Sequence, residues 1–268
     1  MSREKAMTRV PVPAGVPAAR RMPAATAVPA VMKALAVLAV GSALLAPACG
    51  GCRRSEEPLV LTAPWASGEV SRLEVASSVT GAHIADWSMS ISADGGEWVF
   101  TNETSVPGSK EVSTIRASRE TLVPSRAEHI VESPQVTATV TGVYGDKLTI
   151  AGTVNGEPQE LTVDLPVPPY FDNEQVVAVL RALPLADGWR GTLNIVGSKS
   201  VLKLQLRVGV AGREEVTTPA GTFTCWKIDL TGMGQTAWVN VDPPHQLVQY
   251  ENRTAQTLSR LVDFTPGQ

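Results

Sequence analysis

Three histidines are the first candidates for metal binding or acid–base chemistry in this sequence: His83, His129 and His245. They lie far apart in the sequence, and none has a second ligand at metal-binding spacing. The sequence also contains no Gly-x-Ser-x-Gly elbow, phosphate-binding loop or dinucleotide fingerprint. We therefore expect the histidines on the surface or on a strand face, and neither a metal site nor a cofactor.

Carboxylates near one segment offer a second candidate chemistry, because a carboxylate pair can act as general acid and base. The residues concerned are Asp172, Glu174 and Asp187. Local structural roles explain two of them more simply, since Asp172 precedes a predicted helix as an N-cap and Asp187-Gly188 is a typical turn. No nucleophile–base set is visible. We expect no catalytic residue, and a cell-wall hydrolase is the least favoured function.

Cys49-Gly50-Gly51-Cys52 has the spacing of a redox-active or zinc-binding cysteine pair. However, Lys33, an apolar run over 34–40 and the small residues Ala46-Pro47-Ala48 precede it, in the order of an export signal with its cleavage site. The ending in cysteine resembles the lipobox of bacterial lipoproteins, although Ala46 replaces the usual leucine. The resemblance implies that Cys49 is acylated after cleavage. An acylated sulfur neither binds a metal nor forms a disulfide.

Residues 1–48 are accordingly predicted to be a signal region. Residues 1–31 are rich in Pro, Ala, Val and Arg and lack periodicity, so we favour Met32 over Met1 as the true start. The apolar run is shorter than the roughly 20 residues that span a bilayer. Several acyl chains hold a protein firmly at a membrane. We expect a location in the cell envelope, lipid-anchored on the periplasmic or extracytoplasmic face.

Charge and cysteine content limit the partners of the mature chain. Removal of residues 1–48 takes away six basic and one acidic residue, and it leaves a formal net charge of −8. We expect no nucleic-acid partner, because phosphate neutralisation supplies most of that affinity. Cys52 and Cys225 then lie in an oxidising compartment. A disulfide between them is one alternative. The other is that both stay free, because Cys52 lies in a predicted flexible tether over 49–64.

The segment 65–268 is predicted to be one antiparallel β domain. Apolar and polar residues alternate in most of it, as in Leu202 to Val208, where one face is apolar and the other polar. Three short segments predict hairpin turns: Asp94-Gly95-Gly96, Asn155-Gly156 and Thr218-Pro219-Ala220-Gly221. Pro158 predicts an edge strand after the second turn.

One segment reads as helical, from about Asn173 to Ala182, and Pro184 ends it. Its β-branched valines have weak helix propensity, so we expect this helix to form by packing on a sheet. The fold class is mainly β: an antiparallel open barrel or curved sheet with one short helix on its concave side.

Aromatic and helical side chains form the candidate ligand-binding set, because they give large apolar area with a polar handle. Its members are Trp87, Trp98, Val176, Val179, Leu180, Trp226 and Trp238. The alternative is that these residues simply fill a core.

Three sequence blocks together resemble the bacterial exported family called domain of unknown function 3108. The blocks are Tyr170-Phe171-Asp172-Asn173 with Leu180 to Leu185, Glu215 to Ile228, and Trp238-Val239 with Asp242-Pro243-Pro244-His245. The resemblance covers roughly residues 68 to 264. It implies an exported, barrel-like antiparallel protein, and it implies no catalytic residues.

These observations favour a non-enzymatic envelope lipoprotein whose curved sheet binds an apolar ligand or lipid. The alternative is a structural or scaffolding lipoprotein that recruits a protein partner through an exposed strand edge.

Overall fold

The computed structural model of this chain describes residues 59–268. The predictions for the signal region, for acylation of Cys49 and for Cys52 lie outside the described residues. In the described part, no helix is long and apolar enough to cross a membrane.

Within residues 59–268, the fold is one sheet of 15 strands that curves around one short α-helix. The first eight strands are β1 (Glu69–Ser77), β2 (His83–Asp94), β3 (Glu97–Val106), β4 (Ser109–Ser118), β5 (Pro124–Glu132), β6 (Thr137–Tyr144), β7 (Lys147–Val154) and β8 (Glu157–Asp164). The others are β9 (Phe171–Asp172), β10 (Arg190–Gly197), β11 (Leu202–Thr218), β12 (Gly221–Thr231), β13 (Gln235–Asn240), β14 (Leu247–Asn252) and β15 (Thr257–Thr265).

Sequence neighbours are also neighbours in the sheet. The strand order runs from β8 down to β1, then through β15 down to β9. All pairs are antiparallel except the short parallel pair of β9 with β10. Two meanders are therefore joined where the first strand pairs with the last, with Val70 opposite Thr265. The mainly β, open, curved fold class predicted from the sequence is confirmed.

The three predicted hairpin turns are confirmed. Asp94 pairs with Glu97 across Gly95-Gly96, and Thr218 pairs with Gly221 across Pro219-Ala220. Asn155 and Gly156 both have positive φ, 52° and 82°, as a two-residue turn between twisted strands requires. β8, which carries Pro158, is an edge strand.

The long strand β11 continues well beyond the alternating segment from Leu202 to Val208 and ends at Thr218. A register shift between Val210 and Gly212 lets one strand bend and continue, and Gly212 has φ +146°. This is a β-bulge, which bends a strand without ending it.

The helix begins as predicted. Asp172 caps a 3-10 turn (Asn173–Gln175), its carboxylate accepting the Glu174 N–H at 2.7 Å, and the Gln175 side chain accepts the Asp172 N–H. This capping box leads into α1 (Val176–Ala182). A seven-residue helix is too short to be stable alone. It forms because its apolar face is buried in the core, where Val179 and Leu180 have no exposed surface.

A second, small cluster contains the thiol of Cys225, packed with Val216, Trp238 and Val248. Burial raises the pKa of the Cys225 thiol to about 12, so this cysteine is unreactive at neutral pH.

Candidate functional site

A cavity of about 180 Å³ lies between the start of α1 and the concave face of the sheet. The cavity reaches two hairpin turns, where Met233 is half-buried and Ala255 is exposed, and we define this end as its mouth. The apolar part of its wall comes from α1, from β2 and from the strands of the second meander. The main apolar residues are Trp87, Val176, Val177, Leu206, Leu230 and Met233.

The cavity has a charged end built from Lys199, Glu111 and Glu174. Lys199 Nζ contacts Glu111 Oε1 and lies 3.4 Å from Glu174 Oε1. All three side chains are largely buried. β4 supplies Glu111, the 3-10 turn supplies Glu174 and the segment after β10 supplies Lys199, so the curvature of the sheet brings the group together.

The ionised forms of this group stabilise one another. Burial alone would raise the pKa of Glu174, but the Lys199 ammonium reverses this and the pKa is lowered. Burial alone would lower the pKa of Lys199, but Glu174 and Glu111 raise it. At neutral pH the Lys199 ammonium therefore faces the Glu174 carboxylate at the charged end.

Gln235 and Tyr250 line another part of the same cavity. The Tyr250 hydroxyl donates to Gln235 Oε1 at 2.8 Å. The Gln235 side-chain nitrogen, Nε2, is buried and has no hydrogen-bond partner within residues 59–268. Buried polar groups are rarely left unpaired, so this amide is a donor available to a ligand.

A chain of buried hydrogen bonds runs behind the cavity wall. Ser113 Oγ, on the wall, lies 3.0 Å from His129 Nδ1, and His129 Nε2 lies 2.6 Å from Ser198 Oγ. Ser198 Oγ donates to Asp172 Oδ2 at 2.5 Å, and the Tyr144 hydroxyl donates to the same oxygen. These bonds connect β4, β5 and β6 to β9 and to the residue after β10. These bonds therefore join the first meander to the end of the second across the concave side of the sheet.

The proton positions in this chain follow from the donors available. Burial lowers the pKa of His129, so the ring is neutral. Because Ser198 directs its proton to Asp172, His129 donates from Nε2 to Ser198 and accepts from Ser113 at Nδ1. A catalytic triad needs the histidine to take the serine proton. Here the serine lies between histidine and aspartate, and all three residues are buried. The geometry suits a structural network.

His129 lies on a strand, β5, which is one of the two expected positions for a histidine, and its side chain is on the buried face of that strand. It is 1% exposed. His83 fits the expectation, since it is exposed and lies 3.0 Å from Asp86. No three His, Cys, Asp or Glu side chains of residues 59–268 come together as metal ligands.

The structure brings two of the seven sequence-predicted binding residues to the cavity, Trp87 and Val176. Val179 and Leu180, on the buried face of α1, pack into the hydrophobic core and do not line the cavity. The other three tryptophans lie elsewhere. Trp98 packs edge-on against Trp65, Trp226 stacks against Arg213, and Trp238 donates to Glu214.

Among the polar side chains that form the charged end and the amide of the cavity, only Glu174 was named as a candidate from the sequence. Lys199, Glu111 and Gln235 carry no motif, and each belongs to a different part of the chain. An isolated charged residue in a β-rich sequence is usually solvated. Only the curvature of the sheet shows that these side chains are buried together.

A family model described as a protein of unknown function, DUF3108, matches residues 72–253. The chain belongs to the DUF3108 family. The matched range begins within β1 and ends just after β14, so it includes α1 and the strands around the cavity. The resemblance stated from the three sequence blocks is confirmed. Among curated proteins, none matches this DUF3108 chain.

Solved structures show distant likeness to the DUF3108 chain. A beta-barrel-like protein of the DUF1849 family from Brucella abortus is 7% identical with a TM-score of 0.49, over 77% of this chain and 100% of that one. An exported protein from Bacteroides fragilis described as having a YmcC-like fold is 14% identical with a TM-score of 0.31, over 77% and 99% of the two chains.

Proposed function

We propose that this DUF3108 protein is a non-enzymatic lipoprotein of the bacterial envelope that binds an apolar or lipid-like ligand in the cavity beside α1. The cavity itself is the observation that carries the proposal. Its wall joins apolar side chains to a buried polar end, and ligand sites typically combine an apolar lining with a few placed polar groups.

The volume of the cavity limits what fits inside. An apolar cavity of about 150 Å³ takes up a benzene-sized molecule, and this one has about 180 Å³. It therefore accepts one short alkyl segment or one ring. The remainder of a longer molecule extends through the mouth between the turns at Met233 and Ala255.

The anchor belongs to the same proposal. Acylation of Cys49 places the domain at a membrane surface, with the tether over 49–64 between lipid and domain. A protein held there meets amphiphiles that leave the bilayer.

Recruitment of a protein by strand pairing is the second candidate, because β8 is an exposed edge. That edge carries Pro158, Glu157, Glu160 and Asp164. Proline and charge on an edge strand oppose pairing with another chain, so ligand binding is the better supported function.

Native mass spectrometry of protein purified from its own membranes tests the proposal. The wild-type protein should carry an additional bound mass. Val177→Trp, which fills the cavity from α1, should lose it. Val143→Trp, at an exposed position of β6, should keep it. Equal bound mass in all three proteins, or in none, would contradict binding in this cavity.

A further inference from the structure

The two carboxylates of the charged end each have an unused oxygen. Lys199 contacts the Oε1 atom of both Glu111 and Glu174. In the described part of the chain, neither Oε2 atom accepts a hydrogen bond. Ionised carboxylates accept and never donate, so these two oxygens require donors from a ligand or from water.

The net charge of the cavity wall is negative. The wall carries Glu111 and Glu174 against the single ammonium of Lys199, a net charge of −1. Behind the wall, the carboxylate of Asp172 adds negative charge, and the buried ring of His129 is neutral. A cationic head group is attracted to this end and an anionic one is repelled.

Gln235 adds an independent requirement. Gln235 lines the cavity, and its Nε2 is buried and donates to no atom of residues 59–268. It needs an oxygen acceptor, which an ammonium group cannot provide. Its hydrogen-bond partner is Tyr250. Burial raises the pKa of Tyr250, and the nearby Glu174 carboxylate raises it further, so Tyr250 and Glu174 are close together. The Gln235 amide and the free Glu174 oxygen are therefore placed to bind neighbouring atoms of one head group.

We propose that the ligand of this cavity is a single-chain amphiphile whose head carries an amine next to a hydroxyl or carbonyl oxygen. The inference rests on the proposed function, because it specifies the ligand of the same cavity. The amine donates to the Oε2 atoms of Glu111 and Glu174, the oxygen accepts from Gln235, and the chain lies along Trp87 and Val176. Carboxylate and phosphate heads are excluded by charge.

Nuclear magnetic resonance on the full chain tests the proposal. Cell-free synthesis provides the full chain with ¹⁵N-labelled tryptophan and without a lipid on Cys49. The probes are 2-amino-1-hexanol, hexylamine, 1-hexanol and hexanoate. The indole signal of Trp87 reports the cavity, while the signals of Trp98 and Trp226 serve as controls within the molecule.

The amino alcohol should bind most tightly, followed by hexylamine and then hexanol. Hexylamine should bind about tenfold more tightly than hexanoate. Glu174→Gln and Glu111→Gln should each reduce that ratio and leave hexanol binding unchanged. Glu103→Gln, which removes a carboxylate paired with Lys110 outside the cavity, should leave the ratio as in the wild type. Gln235→Leu should abolish the advantage of the amino alcohol over hexylamine.

Two results have different meanings. If hexanoate binds as tightly as hexylamine, the amine inference is wrong and the binding cavity stands. If no probe moves the Trp87 signal, the proposed binding function is wrong as well.

Discussion

Arg181 and Glu69 form a buried two-point ion pair, with the guanidinium nitrogens 2.7 and 3.0 Å from the two carboxylate oxygens. Both side chains are 2% exposed. Two further N–H groups of Arg181, on Nη2 and Nε, donate to the carbonyl oxygens of Pro244 at 2.9 Å and His245 at 2.8 Å. One side chain thereby joins α1 to β1 and to the loop between β13 and β14.

Removal of either partner of this pair should strongly destabilise the protein. Arg181→Met leaves Glu69 buried and unpaired, and Glu69→Gln leaves the guanidinium without its counter-charge. Each should cost about 3–5 kcal/mol of unfolding free energy, measured by urea denaturation of the full chain. The double variant Glu69→Gln/Arg181→Met should lose less than the sum of the two, because no buried charge remains alone.

An exposed pair in the same sheet provides the matched control. Arg72 and Asp263 lie 2.5 Å apart, and both are more than half exposed. Arg72→Met should cost less than about 1 kcal/mol, since solvent screens such pairs. Equal losses for Arg72→Met and Arg181→Met would contradict the importance of burial.

Arg181 also shows how far the sequence blocks predicted the fold. It belongs to the first block, and its carbonyl partners, Pro244 and His245, belong to the third. Turn residues and alternation predicted most of the hairpins around these blocks, because those signals are local. Contacts between blocks depend on how the sheet curves, which is the sum of small twists over many strands. Neither Glu69 nor its pairing with Arg181 follows from a local pattern.

The hairpin at Pro219-Ala220 requires glycine at position 221. Gly221 has φ +136°, and a Cβ there would meet only ordinary contacts with Phe223, 3.8 Å away. Gly221→Val should therefore destabilise the domain through backbone strain, by roughly 1–3 kcal/mol. A fall in melting temperature checks this. Gly96→Ala, in open space without positive φ, should leave the melting temperature almost unchanged.

The membrane anchor is tested by Cys49→Ala. The variant should be released into the soluble fraction, because a single acylated cysteine is the expected attachment. Cys52→Ala should stay with the membranes after a carbonate wash. Retention of Cys49→Ala in the pellet would refute the lipoprotein hypothesis without affecting the cavity.

The charged end of the cavity marks the limit of what the sequence predicts. Glu174 lies within two residues of the predicted cap Asp172, yet its contact with Lys199 joins the start of the helix to the segment after β10. Glu111 comes from β4, and the mixed composition of that strand does not indicate that this glutamate is buried. Such groups are recognised only when strands far apart in the sheet order face each other across the concave side.

His129 makes stability depend on pH. Burial lowers its pKa in the folded state below the ordinary value of about 6.5, so between these two pKa values the unfolded chain binds a proton that the folded chain does not. Stability is therefore fully present above about pH 6.5 and decreases as the pH falls below it, by up to about 1.4 kcal/mol per pH unit.

Urea denaturation at pH 7.5 and 5.5 should show this loss of stability. His129→Gln should be less stable at pH 7.5, because the hydrogen bonds to Ser113 and Ser198 change, but its stability should depend less on pH over the same interval. His83→Gln, at an exposed histidine, should keep the wild-type dependence. A wild-type dependence in His129→Gln would mean that another group carries the titration and that His129 is not the neutral ring that its surroundings require.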